Sequence, residues 1–247
     1  MVLYGLIGYP LEHSASPDFF RGKFEEEEIH DADYRLFPLQ EISELPRLVA
    51  EYPDLAGFNV TSPHKQAVLP YLTHTDVAAA TIGAVNTVKV VRGSRCTELH
   101  GYNTDYIGFT ESLLEVLPRT PKRALVLGTG GGAKAVTYAL TGLHTVVTTV
   151  SRTPGRGALT YRDLTAEVVK ENLLIVNATP LGMHPAPDGC PDFPFEWLTG
   201  QHFLYDLIYN PGETEFLRRG RLRGAGTCNG LTMLHRQADA AWAVWHA

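Results

Sequence analysis

Two stretches carry residues whose types and spacing could do chemistry. The first is FNVTSPHKQ, Phe58 to Gln66, which reads as a strand end, a turn and the start of a helix. Ser62 suits the cap of that helix and Pro63 its first turn. Lys65 then falls at the positive end of the helix dipole, where its neutral form is favoured, and burial would add to this. A lysine that deprotonates easily can exchange a proton with a substrate hydroxyl. Asp105, in GYNTDYIGF, is a carboxylate that could orient the amine if the fold brings the two together. A plain surface lysine is the competing reading.

The second stretch is ALVLGTGGGAKAV. Gly128, Thr129, Gly130, Gly131, Gly132 and Ala133 sit between a short apolar strand and a helix. This matches the G-x-G-x-x-G/A dinucleotide fingerprint in the context it requires, with a plain glycine-rich turn as the competing reading. Gly128 permits the tight turn, Gly130 lets the backbone approach a pyrophosphate, and Ala133 lets the helix pack on the sheet. The helix N-terminus offers unpaired N–H groups to the phosphates. Nucleotide choice is read about 20 residues on, at the end of the next strand. There the sequence has VVTTVSRTPGR, with Ser151, Arg152, Thr153 and Arg156 and no carboxylate. Cations and hydroxyls suit a 2′-phosphate, so NADP is expected and NAD remains possible. A basic surface loop is the alternative.

The elements that must position these groups alternate between strand and helix. Strands are predicted at 3–8, 33–39, the end of GFNV, 85–91, 96–100, 124–128, 145–150, 173–177 and 202–206. Helices are predicted at 17–28, 42–50, 105–116, 131–143, 165–172, 213–220 and 231–246. The pattern gives two α/β domains, the second beginning near residue 104, with 117–123 as the alternative boundary. Polar clusters follow several of the first-domain strands, where ligands bind in open α/β sheets. In HSASP, Ser16 is expected to cap the helix that begins at Pro17, and Ser14 is a further hydroxyl. Asn103 or Thr104 is expected to cap the helix of Asp105.

Composition narrows the partners. Hydrophobic residues make up 44% and charged residues 19% of 247, enough for a packed core. A net charge of −6 without a basic block gives no support to a nucleic-acid partner. No apolar stretch is long enough to span a membrane, and the N-terminus lacks the features of a secretory signal. Cys96, Cys190 and Cys228 are scattered, in no metal or redox spacing, which suits a reducing cytoplasm.

Eight ordered motifs, YGLIGYPLEHSASP, NVTSPHK, IGAVNT, GYNTD, GTGGGA, VNATPLGM, YDLIYNP and NGLTMLHRQA, resemble the shikimate dehydrogenase family over nearly the whole chain. The resemblance implies reversible oxidation of shikimate to 3-dehydroshikimate with NADP, in the route to the aromatic amino acids. It implies a substrate domain at 1–103 and a Rossmann-like nucleotide domain at 104–229, with the active site in the cleft between them. The last helix, 230–247, would return to the first domain. Lys65 would be the acid/base, with Asp105 its partner. Ser14 and Ser16 would hold the substrate carboxylate. Thr61, Asn86, Asp105 and Gln237 would bind its hydroxyls, and Tyr209 would lie near it. Leu207, Gly230 and Met233 would line the nicotinamide site. In two places the sequence departs from the pattern: His235 stands where an aliphatic residue is more usual, and SRTPGRGALTYRDL leaves little room for the family's usual intervening helix. A quinate/shikimate dehydrogenase using either nucleotide is the close alternative. A non-catalytic dinucleotide sensor is a remote one, to which Lys65 and Asp105 would be of no use. The chain is expected to act alone or as a homodimer.

Overall fold

The computed structural model describes residues 1–12 and 14–247. His13 of the HSASP motif lies outside the described residues. The chain divides into two compact units, Met1–Thr104 with Gln237–Ala247, and Asp105–Arg236.

The first unit begins with β1 (Val2–Gly8), α1 (Ser16–Glu26), β2 (Ala32–Pro38), α2 (Leu45–Glu51) and β3 (Leu55–Val60). Then come β4 (His74–Thr75), α3 (Val77–Ile82), β5 (Thr87–Arg92) and β6 (Thr97–Tyr102). The strands form one sheet in the order β2-β1-β3-β5-β6-β4. β1 runs parallel to both neighbours, with Ile7 opposite Phe37 and Val60, while β5 is antiparallel to β3 and β6. The loops after β1 and β3 therefore leave the sheet side by side. Buried residues of β1 and β3, such as Leu3, Ile7, Phe58 and Val60, fill one core.

The second unit runs from α4 (Asp105–Val116) through β7 (Arg123–Leu127), α5 (Gly131–Gly142), β8 (Val146–Ser151), β9 (Leu159–Thr160), α6 (Ala166–Glu171), β10 (Leu174–Asn177), β11 (Phe203–Asp206), α7 (Glu215–Leu222) and β12 (Gly226–Cys228). It includes the first residues of α8 (Leu231–His246), whose later residues, from Gln237, belong to the first unit. All the pairings of its sheet are parallel, in the order β12-β11-β10-β7-β8-β9. This is the doubly wound order, with β7 central and its C-terminal end at a switch point. β7 and β10 are buried on both faces, which is why ALVL and LIVN carry no alternation. No helix separates β8 from β9: residues 152–158 cross directly, as the short SRTPGRGALTYRDL segment led one to expect.

The expected helix after Ser62 does not form. Residues 62–68 are consecutive turns. A helix would need the Lys65 carbonyl for the amide of Leu69. Instead that carbonyl accepts from Val85 N–H at 2.7 Å, and Leu69 N–H donates to Gln66 at 3.3 Å. His64 is buried, with Nε2 2.7 Å from the Leu39 carbonyl, and Val68 is buried in the core. Tertiary partners thus take the groups that a helix would use. α3 and the two-residue strands β4 and β9 were not predicted.

Among the described residues, no helix is long and apolar enough to cross a membrane, and no group of three or more His, Cys, Asp or Glu is placed to hold a metal ion.

Candidate active site

The first unit gathers its expected substrate residues at the ends of β1, β3 and β5. Thr61 follows β3, and its amide donates to the Ile7 carbonyl of β1 at 2.9 Å. Tyr9 N–H donates to the Ser62 carbonyl at 3.1 Å, which ties the loop after β1 to the loop after β3. Lys65 is half-buried, held through its backbone by Val85. Its placement in a turn removes the helix dipole as the means of favouring its neutral form, so the electrostatic argument built on that helix does not hold.

Ser16 is not a cap. The N-cap of α1 is Ala15, which makes no side-chain cap bond, and Ser16 is the first helical residue. Its amide donates to Ser14 Oγ at 3.3 Å, so Ser14 serves the turn instead. Ser16, Phe20 and Phe24 form the buried face of α1. Phe20 stacks on Tyr34 of β2, with ring centroids 4.2 Å apart. Burial pushes the Tyr34 phenol well above its ordinary range, and a hydrogen bond with the Ser16 side chain works in the other direction.

Asn86 is buried among polar groups. Its Oδ1 accepts from Thr104 N–H at 2.6 Å, and its Nδ2 donates to Thr104 Oγ1 at 2.9 Å and to Gln237 Oε1 at 3.2 Å. The carboxamides of Asn86 and Gln237, 151 residues apart, are thus brought together within one unit. Aromatic packing makes this possible. Trp245 of α8 stacks on Tyr4 of β1 at 4.7 Å, and its Nε1 donates to the Val88 carbonyl at 3.0 Å, which fixes the helix that carries Gln237. The Thr104 side chain bonds to Asn86, and Asn103 Nδ2 donates to the Ala84 carbonyl at 2.9 Å. The buried Asp105 follows at once as the first residue of α4.

The second unit holds the glycine-rich loop. Gly128 follows β7 with φ +115, a conformation that favours glycine, and its amide donates to the Val150 carbonyl at 2.8 Å. Gly130 is the N-cap of α5, and nothing lies within 4 Å of the position a Cβ would take. A side chain there would fill the space before the helix N-terminus, so the loop fits a pyrophosphate laid against bare backbone. Ala133 is fully packed beneath it. Leu207 joins this loop to α8. Its Cδ1 lies 3.3 Å from where a Cβ on Gly132 would be, and its carbonyl 2.1 Å from that of Gly230. Met233 is buried in the core that Leu207 packs against. Leu207, Gly230 and Met233 therefore cluster beside the glycine-rich loop. Tyr209 is half-buried two residues beyond Leu207.

Ser151 is buried at the end of β8, and its Oγ accepts from Thr153 N–H at 3.1 Å. Arg152, Thr153 and Arg156 are exposed on the crossing segment. Hydroxyls and guanidinium groups thus follow β8, where an adenosine ribose would lie.

Asp206 was not singled out from the sequence. Fully buried at the end of β11, it accepts from Thr214 Oγ1 at 2.6 Å, Asn177 Nδ2 at 3.0 Å and Ile208 N–H at 3.0 Å. Burial pushes its carboxyl up to about 6, against these three bonds. Asn177 Oδ1 in turn accepts from Thr179 N–H and Oγ1, at 3.1 and 2.7 Å. One carboxylate thus holds the loops after β10 and β11 together beneath Leu207. A lone Asp in an apolar strand, DLIYN after FLY, was the available signal.

A family model described as the shikimate dehydrogenase substrate binding domain matches residues 6–88. The chain is 40% identical over 266 residues to the shikimate dehydrogenase (NADP(+)) of Desulforamulus reducens, covering 98% of this chain and 88% of that protein. Among solved structures, the shikimate dehydrogenase of Aquifex aeolicus superposes with a TM-score of 0.88 at 33% identity, covering 99% of this chain and 92% of that one. The shikimate 5-dehydrogenase of Thermus thermophilus, in complex with NADP(H) and shikimate, gives 0.88 at 32% identity, covering 99% and 93%. The chain belongs to the shikimate dehydrogenase family.

Proposed function

We propose that this chain is an NADP-dependent shikimate dehydrogenase, interconverting shikimate and 3-dehydroshikimate in the cytoplasm on the route to the aromatic amino acids. The observation that carries the reading is the near full-length match to shikimate dehydrogenases (NADP(+)). NADP, when bound, supplies the hydride acceptor for the carbinol carbon. Gly128 to Ala133 hold its pyrophosphate, Ser151, Arg152, Thr153 and Arg156 its 2′-phosphate, and Leu207, Gly230 and Met233 flank its nicotinamide.

The protein's own work is to bind, orient and move one proton. Ser14 and Ser16 receive the substrate carboxylate. Thr61, Asn86 and Gln237 hold its hydroxyls, and Tyr209 lies beside it. Lys65 Nζ takes the hydroxyl proton as the alcohol is oxidised and returns it in the reverse direction, with Asp105 as its partner. Lys65→Ala is expected to lower kcat on the order of 10²-fold or more, with KM for shikimate within a few-fold, in an initial-rate assay of NADP reduction. Near-normal turnover would remove Lys65 from the role.

A second reading, use of quinate and of NAD as well, is favoured by one observation. The segment 152–158 is exposed and has no helix over it, so a ribose there meets few enforced contacts.

A further inference from the structure

Leu207 and Ile208, the two residues after β11, are fastened on both sides. Leu207 N–H donates to the Asn177 carbonyl at 3.0 Å, and the Ile208 carbonyl accepts from Gly230 N–H at 3.0 Å. Ile208 N–H donates at 3.0 Å to Asp206 Oδ1, which also accepts from Asn177 Nδ2 at 3.0 Å. Asn177 Oδ1 accepts from Thr179 N–H and Oγ1. Thr179 Cγ2 and the Ala178 carbonyl oxygen lie 3.3 and 3.0 Å from where a Cβ on Gly128 would stand. Oδ1 of one buried carboxylate therefore joins two segments. One reaches Gly230 through Ile208, and the other lies against Gly128.

The polarity of these bonds is fixed. Thr179 N–H can only donate, so Asn177 must present Oδ1 to it and Nδ2 to Asp206. Ile208 N–H can only donate as well, so both partners of Asp206 Oδ1 require an acceptor. The other oxygen has a separate task. Oδ2 accepts from Thr214 Oγ1 at 2.6 Å, and Thr214 caps α7 by accepting from Leu217 N–H at 3.3 Å. The two oxygens can thus be tested apart. An asparagine at 206 would keep both Oδ1 bonds and turn its amide N–H toward Thr214 Oγ1, whereas an alanine would keep none.

We infer that Asp206 is a positioning residue for the nicotinamide half of the dinucleotide: through Oδ1 it holds the Leu207–Gly230 flank in fixed register with the segment 177–179 that lies against Gly128. The inference rests on the NADP site proposed above. Asp206 touches no part of that site itself; it acts through Ile208 on one side and Asn177 on the other.

The test is equilibrium binding to the full-length protein, measured by calorimetry, with two ligands. One is NADP. The other is adenosine 2′,5′-bisphosphate, which carries the 2′-phosphate half and no nicotinamide. Asp206→Ala is expected to weaken NADP binding about ten-fold, as loss of the two Oδ1 bonds would, and the bisphosphate by no more than about two-fold. Asp206→Asn should bind NADP within about three-fold of wild type, because it keeps those bonds. Thr214→Val removes the Oδ2 bond and a helix cap, so it should lower Tm and leave NADP binding within about two-fold. Undiminished NADP binding by Asp206→Ala, equal losses of the two ligands, or a loss in Asp206→Asn as large as in Asp206→Ala would overturn the inference. Should Asp206→Ala fail to fold, Asn177→Ala breaks the bond between the two segments and must weaken NADP more than the bisphosphate; equal effects on both would overturn it. Wild-type protein that binds NADP and turns over no shikimate would overturn the proposed function and leave the positioning standing. Wild-type turnover with NADP binding unperturbed in Asp206→Ala overturns the positioning alone.

Discussion

Gly230→Ala should damage the cofactor site without touching a cofactor atom. An added Cβ would stand 2.1 Å from the Leu207 carbonyl oxygen, 2.6 Å from its carbon and 3.2 Å from Leu207 Cα. All three atoms are backbone, so no side-chain rotation relieves the overlap. Restoring a contact of about 3.5 Å requires the two segments to part by roughly 1.4 Å. That movement stretches the bond from Gly230 N–H to the Ile208 carbonyl, now 3.0 Å. It also shifts Leu207, which packs over Gly132 of the phosphate loop. A misplacement of about 1 Å can cost on the order of 10²-fold in rate. The expected result is a fall of that order in kcat/KM for NADP. Shikimate binding in the first unit, followed by thermal shift in the absence of cofactor, should be retained. A variant with kcat/KM within a few-fold of wild type and an unchanged Tm would show that Leu207 and Gly230 do not shape the nicotinamide site.

Two further outcomes follow from other parts of the same unit. Arg152→Ala should raise KM for NADP and leave NAD use little changed; an equal loss with both nucleotides would count against a phosphate clamp. Asp206→Asn should change how stability depends on pH. Burial raises the Asp206 carboxyl from 3.8 to about 6, so its contribution is fully present below about pH 4 and is lost as pH rises through about 6. The difference corresponds to about 3 kcal/mol. Relative to the variant, wild type should therefore lose stability by about that amount between pH 4 and pH 7, measured by urea denaturation. Parallel pH profiles would refute it.

The sequence made the nucleotide unit easy to read. ALVLGTGGGA states its strand, turn and helix locally: the strand is apolar throughout, Gly128 has a positive φ, and α5 begins within the glycine run, at Gly131. The two ends of α8 were equally plain, since its apolar spacing is strictly helical. What the sequence could not carry was competition between local and distant partners. Ser62 and Pro63 are sound helix-start residues, yet Val85 takes the Lys65 carbonyl and no helix follows. Ser16 before Pro17 is a sound cap, yet its side chain lies on the buried face of α1 beside Tyr34. The role of Asp206 was hidden as well: its carboxylate gathers Ile208, Thr214 and, 29 residues away, Asn177, and single-residue chemistry does not reveal that set.

The central claim is tested most directly by initial rates with shikimate and quinate, each crossed with NADP and NAD, on the full-length protein. The account predicts the highest kcat/KM for shikimate with NADP. Absence of shikimate turnover with either nucleotide, or quinate preferred over shikimate, would contradict it.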